Sequence, residues 1–276
     1  MKNYYTLLCP VCRDNLTQIN RTYTCVNGHS FDISRKGYVN LLMGNSSGHH
    51  GDDKLMVRAR TAFLNRGYYD RLSDEICRTI SGYYGNELFL IDAGCGEGKY
   101  LSDLLNYLKK KEKRISALAV DISKDAVSAL CSRTREADAV VASTSSLPVS
   151  DHSADVLLNI FAPFFAGEFY RVLKPEGILI RVVPLENHLV ELKRAVYDNI
   201  YLNSVPDYQE CGFSILEKRE VRYQISVPNS EDLHNLFLMT PYYYKTSAED
   251  QKKLNALDNL DITLEFLIII YKKTGK

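Results

Sequence analysis

Short apolar runs alternate with amphipathic stretches along most of the chain. Residues 88–91 form a continuous apolar run, with the length and composition of a strand buried on both faces. Leucines then recur at helical spacing, at Leu101, Leu104, Leu105 and Leu108. Further strand-like runs lie at 115–120, 139–142, 156–160 and 178–183. This alternation predicts a doubly wound, mostly parallel sheet.

Both ends of this region extend the pattern. Residues 54–80 have helical periodicity, interrupted at Gly67. Near the C-terminus, residues 213–227 and 260–271 read as two strands on either side of a helix near Leu233. The predicted fold is therefore an α/β domain with a seven-stranded sheet.

A glycine-rich loop follows the first predicted strand. Asp92 closes that strand, and Gly94, Gly96 and Gly98 follow at alternate positions before the helix. Such a loop brings backbone amides at a helix N-terminus close to a ligand, although a tight structural turn is the alternative. The spacing differs from the dinucleotide fingerprint G-x-G-x-x-G. It resembles the first motif of Rossmann-like S-adenosylmethionine (SAM) methyltransferases, whose cationic ligand suits the Asp92 carboxylate.

An acid also ends the second predicted strand. Asp121 stands where this architecture holds ribose hydroxyl groups. Ser143, after the third strand, occupies a position where many SAM enzymes carry an acid for the adenine amine. We therefore expect a ribose contact from Asp121 and leave the adenine contact open.

The N-terminal segment has a different composition. Cys9, Cys12, Cys25 and His29 give the spacing C-x2-C-x12-C-x3-H. Two knuckles of this kind supply four ligands to one tetrahedral zinc ion, in a segment too small to own a core. Buried cysteines or a disulfide are the alternatives. We predict a zinc module at 1–43, a glycine-rich linker at 44–53 and the methyltransferase domain at 54–276.

The composition and the lengths of the apolar runs bear on where the protein is located in the cell. The chain of 276 residues has no formal net charge, but its first 60 residues hold eight Lys and Arg against four Asp and Glu. No apolar run reaches membrane-spanning length, and the N-terminus lacks the apolar core of a signal peptide. These features predict a cytoplasmic protein without a membrane partner.

Nearly the whole chain resembles the bacterial 23S rRNA (guanine-N1)-methyltransferases, which modify a guanine in one hairpin of that RNA. Besides the zinc ligands and the glycine loop, the matching residues are Phe31-Asp32, 37–41 (GYVNL), Gly51-Asp52, Ala59-Arg60, Phe63-Leu64, Gly67, Tyr69, Ala162-Pro163, 171–175, His188 and Met239-Thr240-Pro241. Some members of this family protect their hosts from macrolide antibiotics such as tylosin.

The resemblance implies SAM as methyl donor, one structural zinc ion, and SAM contacts from Tyr69, Tyr100, Leu101 and His188. A packing role is the alternative for each of these side chains. Asn159, at the end of the fourth predicted strand, could hold the guanine edge as donor and acceptor.

We expect RNA to bind the N-terminal part of the chain, which carries the excess of basic residues. Arg35 and Lys36 follow the second zinc knuckle, and Arg58 and Arg60 lie on the first predicted helix. Solvated surfaces carry the same pattern, so it is not specific. The 23S rRNA hairpin is the expected partner, and a second copy of the chain is a further candidate.

Other functions fit less of the sequence. A methyltransferase acting on another RNA or on a small molecule would explain the SAM motif, but a small-molecule enzyme leaves the zinc module without a purpose. A non-catalytic RNA-binding protein would not need Asp92, the glycines and Asp121 together. An NAD-dependent enzyme would need a longer glycine motif.

Overall fold

The computed structural model describes residues 5–43, 51–83 and 87–275. Residues 44–50 of the predicted linker lie outside the described residues. The first four strands belong to the N-terminal segment: β1 (Thr17–Ile19), β2 (Thr22–Thr24), β3 (Ser30–Asp32) and β4 (Val39–Asn40). Strands β1, β2 and β3 form a small antiparallel sheet around the cysteine knuckles.

The larger domain alternates helices and strands in the predicted order. Its strands are β5 (Glu87–Ala93), β6 (Arg114–Asp121), β7 (Asp138–Val141), β8 (Ala154–Ile160), β9 (Leu173–Pro184), β10 (Phe213–Val227) and β11 (Leu260–Lys273). Its helices are α1 (Lys54–Leu64), α2 (Asp70–Tyr83), α3 (Lys99–Lys110), α4 (Lys124–Arg133), α5 (Ala166–Val172), α6 (Val190–Val196), α7 (Ser230–Leu238) and α8 (Ala248–Asn255). The helical stretch broken at Gly67 is therefore two helices.

The sheet has the order β10-β11-β9-β8-β5-β6-β7-β4. The six strands β9, β8, β5, β6, β7 and β4 run parallel to one another. Strands β11 and β10 extend the sheet antiparallel at the β9 edge. The fold class is confirmed, with the seven predicted strands present. The eighth strand, β4, comes from the N-terminal segment and pairs with β7.

Two apolar layers cover the sheet. Strand residues of alternating direction, such as Leu90 and Ile91, enter opposite layers, as expected for a strand buried on both faces. One layer includes Leu7, Leu16 and Cys25 of the N-terminal segment. The zinc module therefore shares the core of the large domain.

Candidate functional site

The glycine loop joins β5 to α3 at the carboxyl ends of the parallel strands. The backbone N–H groups of Gly94 and Cys95 donate to the Val120 carbonyl at 2.8 and 3.1 Å, which fixes the loop on β6. Gly94 has a φ of +92°, and a Cβ atom there would lie 2.3 Å from the Cβ of Ala162. The loop after β8 therefore approaches the glycine loop so closely that no side chain fits between them.

A cavity of about 760 Å³ opens above this loop. Its wall combines the glycine loop, the ends of β6, β8 and β9, the helix α1 and the segment after α7. Its lining residues include Asp52, Arg60, Tyr69, Asp92, Tyr100, Asp121, Ser143, Phe161, Phe165 and His188. Ligands of open α/β sheets bind at this edge.

Asp92 is buried in the wall of the cavity. Its Oδ1 atom has no hydrogen-bond partner within the described part of the chain. Burial, with a smaller contribution from the nearby Asp121 carboxylate, raises the pKa of Asp92 to about 7. A buried carboxylate without a donor is unfavourable unless a cation reaches it. The position therefore suits a ligand with an ammonium group.

Asp121 links the glycine loop to the next helix. One carboxylate oxygen accepts from the Gly96 N–H at 2.9 Å, and the other accepts from the Ser123 N–H at 2.8 Å. Burial raises the pKa of Asp121, and these two hydrogen bonds oppose the shift. Each oxygen keeps a lone pair for a hydroxyl group in the cavity.

Tyr69 and His188 form another part of the wall. Their rings lie edge to face at 6.3 Å, and both pack on Phe266. The buried Tyr69 hydroxyl has no hydrogen-bond partner among the described residues. His188 Nδ1 accepts from the Glu265 N–H at 3.3 Å, which places the ring proton on Nε2. Burial first, then Lys193, lowers the pKa of His188 to about 3, so the ring is neutral.

These observations fit a molecule of SAM. The unpartnered Asp92 and Tyr69 atoms match a ligand carrying both an ammonium and a carboxylate group. The paired acid at Asp121 matches a ribose, and Tyr100 lines the same cavity. Ser143 also lines it, and its hydroxyl contacts that of Ser145, so a hydroxyl group stands where many SAM enzymes carry an acid.

Two residues predicted to contact the cofactor do not line the cavity. A Cβ atom at Gly98 would meet Leu130 at 2.7 Å, so this glycine permits the packing of α4 against the loop. The side chain of Leu101 lies in the apolar core, which leaves only its backbone available to a ligand. Both residues therefore support the glycine loop from the side of the apolar core, away from the cavity.

Asn159 is also absent from the cavity wall. Its amide nitrogen donates to the Ala93 carbonyl at 3.2 Å and to the Pro163 carbonyl at 3.1 Å. Its donors are therefore used to hold two loops together, and its amide oxygen has no hydrogen-bond partner among the residues that the structure describes. The arrangement does not support a direct contact with the guanine edge.

Arg60 lies on the first helix, α1, as predicted, but its side chain belongs to the cavity wall. It lines the cavity, forms an ion pair with Asp52 and donates to the Met239 carbonyl at 3.3 Å. The ion pair makes Arg60 part of the cavity wall and not an outward surface for RNA. Sequence reasoning missed this pairing, although Asp52, Arg60 and Met239 all belong to motifs of the family resemblance.

The other predicted RNA contacts are on the surface. Arg35, Lys36 and Arg58 are exposed, and the Lys36 carbonyl accepts from Arg135. Since β4 runs parallel to β7, the turn that carries Arg35 and Lys36 lies near the amino ends of the strands. The cavity lies at their carboxyl ends.

The four predicted zinc ligands converge. The ligand atoms of Cys9, Cys12, Cys25 and His29 all lie within 4.8 Å of one another. The Cys12 and Cys25 sulfur atoms are 3.7 Å apart, and the Cys25 sulfur is 3.3 Å from His29 Nδ1. Tetrahedral zinc with bonds of about 2.3 Å to sulfur requires S···S edges of about 3.8 Å. The donor set and its spacing fit one structural zinc ion.

Within the described ranges, no helix is long and apolar enough to cross a membrane.

The fold and the two sites define a class I SAM-dependent methyltransferase with an N-terminal zinc ribbon. The family model described as "RlmA, N-terminal", a zinc ribbon, matches residues 7–45, and a "Methyltransferase domain" model matches residues 91–181. The solved structure of the YcgJ protein from Bacillus subtilis has a TM-score of 0.50 and 15% identity, covering 74% of this chain and 98% of that one.

Two curated relatives are closer in sequence. A Bacillus subtilis protein named as a candidate 23S rRNA (guanine-N1)-methyltransferase, YxjB, is 30% identical over 96% of both chains. The 23S rRNA (guanine(748)-N(1))-methyltransferase of Streptomyces fradiae is 36% identical over 74% of this chain and 71% of its own. The chain belongs to the 23S rRNA (guanine-N1)-methyltransferase family.

Proposed function

We propose that the protein transfers the methyl group of SAM to N1 of a guanine in a 23S rRNA hairpin. The observation that carries the proposal is the pair of buried, unpartnered atoms, Asp92 Oδ1 and the Tyr69 hydroxyl, in a cavity beside the glycine loop. The family membership supplies the substrate, because the Streptomyces fradiae relative is named for this reaction.

Each polar group of the wall has a role toward SAM. Asp92 would accept from the α-ammonium group, Tyr69 would donate to the carboxylate, and Asp121 would accept from the ribose hydroxyls. The neutral His188 would donate a hydrogen bond to SAM through its Nε2–H group, without adding a positive charge beside the sulfonium. When bound, SAM supplies an electrophilic methyl group.

The protein's part in the reaction is chiefly alignment. Guanine N1 lies on the Watson–Crick edge, so the base must leave its pair and enter the cavity. Holding N1 in line with the methyl group then replaces an improbable encounter with a unimolecular step. The N1 proton must also pass to a base.

The zinc ribbon would act as the RNA-recognition module, with Cys9, Cys12, Cys25 and His29 as ligands. Its exposed Arg35 and Lys36 would contact phosphates, together with Arg58 on α1. An rRNA partner supports the proposal that the protein works in the cytoplasm. The exposed apolar side chains of Tyr201, Leu202 and Val205 would suit a contact between two copies, which the mass in solution would test.

The decisive experiment is methyl transfer from tritiated SAM to purified 23S rRNA. The expected result is incorporation into the RNA, with none into small metabolites or a no-RNA control. A reverse-transcription stop, compared between knockout and complemented strains, would locate the methylated guanine. Macrolide sensitivity of the same strains would test a role in resistance. Incorporation into small metabolites alone would contradict the proposal.

A further inference from the structure

Two phenylalanines stand apart from the other eight. All ten lie in the described ranges, and Phe161 and Phe165 are the exposed ones, at 43% and 37%. Both line the mouth of the cavity. Large apolar rings left accessible at a cavity mouth point to a ligand that covers them.

The backbone holds Phe161 in an unusual conformation. Its φ is +52°, in the left-handed region that side chains other than glycine seldom adopt. Its N–H donates to the Val182 carbonyl at 3.1 Å, and the next residue, Ala162, abuts Gly94. The Asn159 amide ties Pro163 to Ala93 on the neighbouring strand. The strain is therefore maintained by the surroundings, as is common at functional sites.

The rings are supported from the protein side. Phe161 contacts Tyr100 edge to face at 6.2 Å and Phe266 at a tilt of 50° and 5.6 Å. Phe165 stands perpendicular to the buried Phe169 at 6.4 Å. These contacts fix the ring orientations and leave part of each ring accessible to a ligand.

We propose that Phe161 and Phe165 form the seat for the flipped guanine, with Phe161 stacking on the base. This inference rests on the proposed function and extends it to the substrate. The seat lies one strand away from Asp92, because β8 is the neighbour of β5. A base seated there would share one cavity with the methyl donor.

The chemistry of the seat selects a base over a phosphate. The residues between the two rings are Ala162, Pro163 and Phe164, none of which carries a charge or a side-chain donor. Among the described residues, the two cations of the cavity wall are both paired with carboxylates: Arg60 with Asp52, and Lys99 with Asp70 and Asp103. A flat, neutral purine gains stacking energy on such a surface, whereas a phosphate would lose its hydration without compensation.

The test compares three variants of Phe161 on 23S rRNA: Phe161→Ala, Phe161→Leu and Phe161→Tyr. The measured quantities are kcat/KM for the RNA and the Kd for SAM by calorimetry. Phe161→Ala should lower kcat/KM by about 10- to 100-fold, the range expected for loss of one base–aromatic stack. Phe161→Tyr should restore most of the activity, and Phe161→Leu should not, because leucine fills space without a π-face. The SAM Kd should stay within about threefold of the parent value.

Phe165→Ala should show a smaller loss, and Leu216→Ala should match the parent. Leu216 is 46% exposed and does not line the cavity, so it controls for loss of a large apolar side chain from the surface. Equal activity of Phe161→Leu and Phe161→Tyr would overturn the seat, as would a loss of SAM affinity as large as the loss of activity. If the parent itself transfers no methyl group to 23S rRNA, the proposed function fails before the seat is tested.

Discussion

Asp92 is buried at the end of an otherwise apolar strand, and its Oδ1 atom lacks a partner among the described residues. Its pKa is raised from 3.8 to about 7. The native protein therefore holds a proton that the unfolded chain releases between about pH 4 and pH 7. Over this interval Asp92 lowers the free energy of unfolding as pH rises, and the full penalty is present above pH 7. The residue is suited to ligand binding at a cost in stability.

We predict that Asp92→Asn separates these two effects. At pH 8 without SAM, the variant should unfold at a higher temperature than the parent, by about 2–6 °C, because burying a neutral amide costs less free energy than burying an unpaired carboxylate. At the same pH its SAM affinity should fall at least about tenfold, because the acceptor for the ammonium group has lost its charge. Thermal unfolding and calorimetry measure the two quantities.

The same variant controls the pH dependence of binding. Between pH 7 and pH 5 the parent should lose SAM affinity by up to about tenfold per pH unit, because binding needs the carboxylate form of Asp92. Asp92→Asn should show a much flatter profile. Parallel profiles for the two proteins would mean that another group controls binding.

At the scale of elements, the site depends on how closely two loops meet. The loop after β5 and the loop after β8 touch at Gly94 and Ala162. We predict that Gly94→Ala weakens SAM binding at least about tenfold, because the added Cβ would force these loops apart and strain a φ of +92°. Gly82→Ala is the matched control.

Gly82 lies in α2 with nothing within 4 Å of an added Cβ, so its substitution should leave SAM affinity unchanged and raise stability slightly. Calorimetry on both variants checks the pair. Normal SAM affinity in Gly94→Ala would show that the two loops can separate without damage to the site.

The strands of this site can be predicted from the sequence, whereas the contacts between its loops and helices cannot. The run at 88–91 and the acids at Asp92 and Asp121 are local signals, because strand burial and the place of an acid after a strand depend on adjacent residues. The contact of Gly94 with Ala162 joins residues far apart in the chain. The ion pair of Arg60 with Asp52 depends on the angle at which α1 meets the cavity, which no periodicity encodes.

The dependence on distant contacts also explains why the side chains of Leu101 and Asn159 do not line the cavity. Leu101 follows the glycine loop in sequence, but the helical turn directs its side chain to the core. Asn159 ends a strand beside the site, yet nearby carbonyl groups use its donors. Proximity in sequence thus locates the site to within a few residues and does not give the direction of each side chain.

The zinc knuckles are also local elements, and we predict one zinc ion per chain. Cys12→Ala should abolish zinc binding and lower the unfolding temperature by more than about 5 °C, because the ion fixes both knuckles and Leu7 and Leu16 pack in the core of the large sheet. SAM affinity should stay within about threefold. Elemental analysis, thermal unfolding and calorimetry measure these effects.

Cys211→Ala is the control, because Cys211 is an exposed free cysteine outside the cluster. It should keep both the zinc and the unfolding temperature. An unfolding temperature unchanged in Cys12→Ala would indicate that the module folds independently of the sheet.

At the scale of the whole molecule, the zinc module is joined to the sheet at several points. Strand β4 pairs with β7, Leu7 pairs with Val149, and Tyr5 stacks on Phe89 with ring centroids 4.1 Å apart. These contacts bind a small module that could not supply a core of its own. They also fix its basic turn relative to the cavity.

That geometry sets the size of the RNA that both parts can contact. Arg35 and Lys36 precede β4, which pairs with the last two residues of β7, and β7 spans four residues. At about 3.3 Å per residue, the length of β7 separates the amino ends of the strands, beside which the turn lies, from the carboxyl ends, where the cavity lies, by about 10 Å. A hairpin stem can contact the turn while its target base enters the cavity.

We therefore predict that Arg35→Ala with Lys36→Ala weakens binding of the 23S rRNA hairpin and lowers its salt dependence. Both side chains are exposed, and neither forms an ion pair with a described residue. Each phosphate contact releases condensed counterions, so the slope of log K against log salt should fall by up to about two units. SAM affinity should not change, because the turn lies away from the cavity.

Lys252→Ala with Lys253→Ala removes the same charge from α8, which packs on α6 beside β11, and should leave the slope unchanged. Equal slopes in all three proteins would remove the turn from the RNA interface and direct the search to Lys54 and Arg58 on α1.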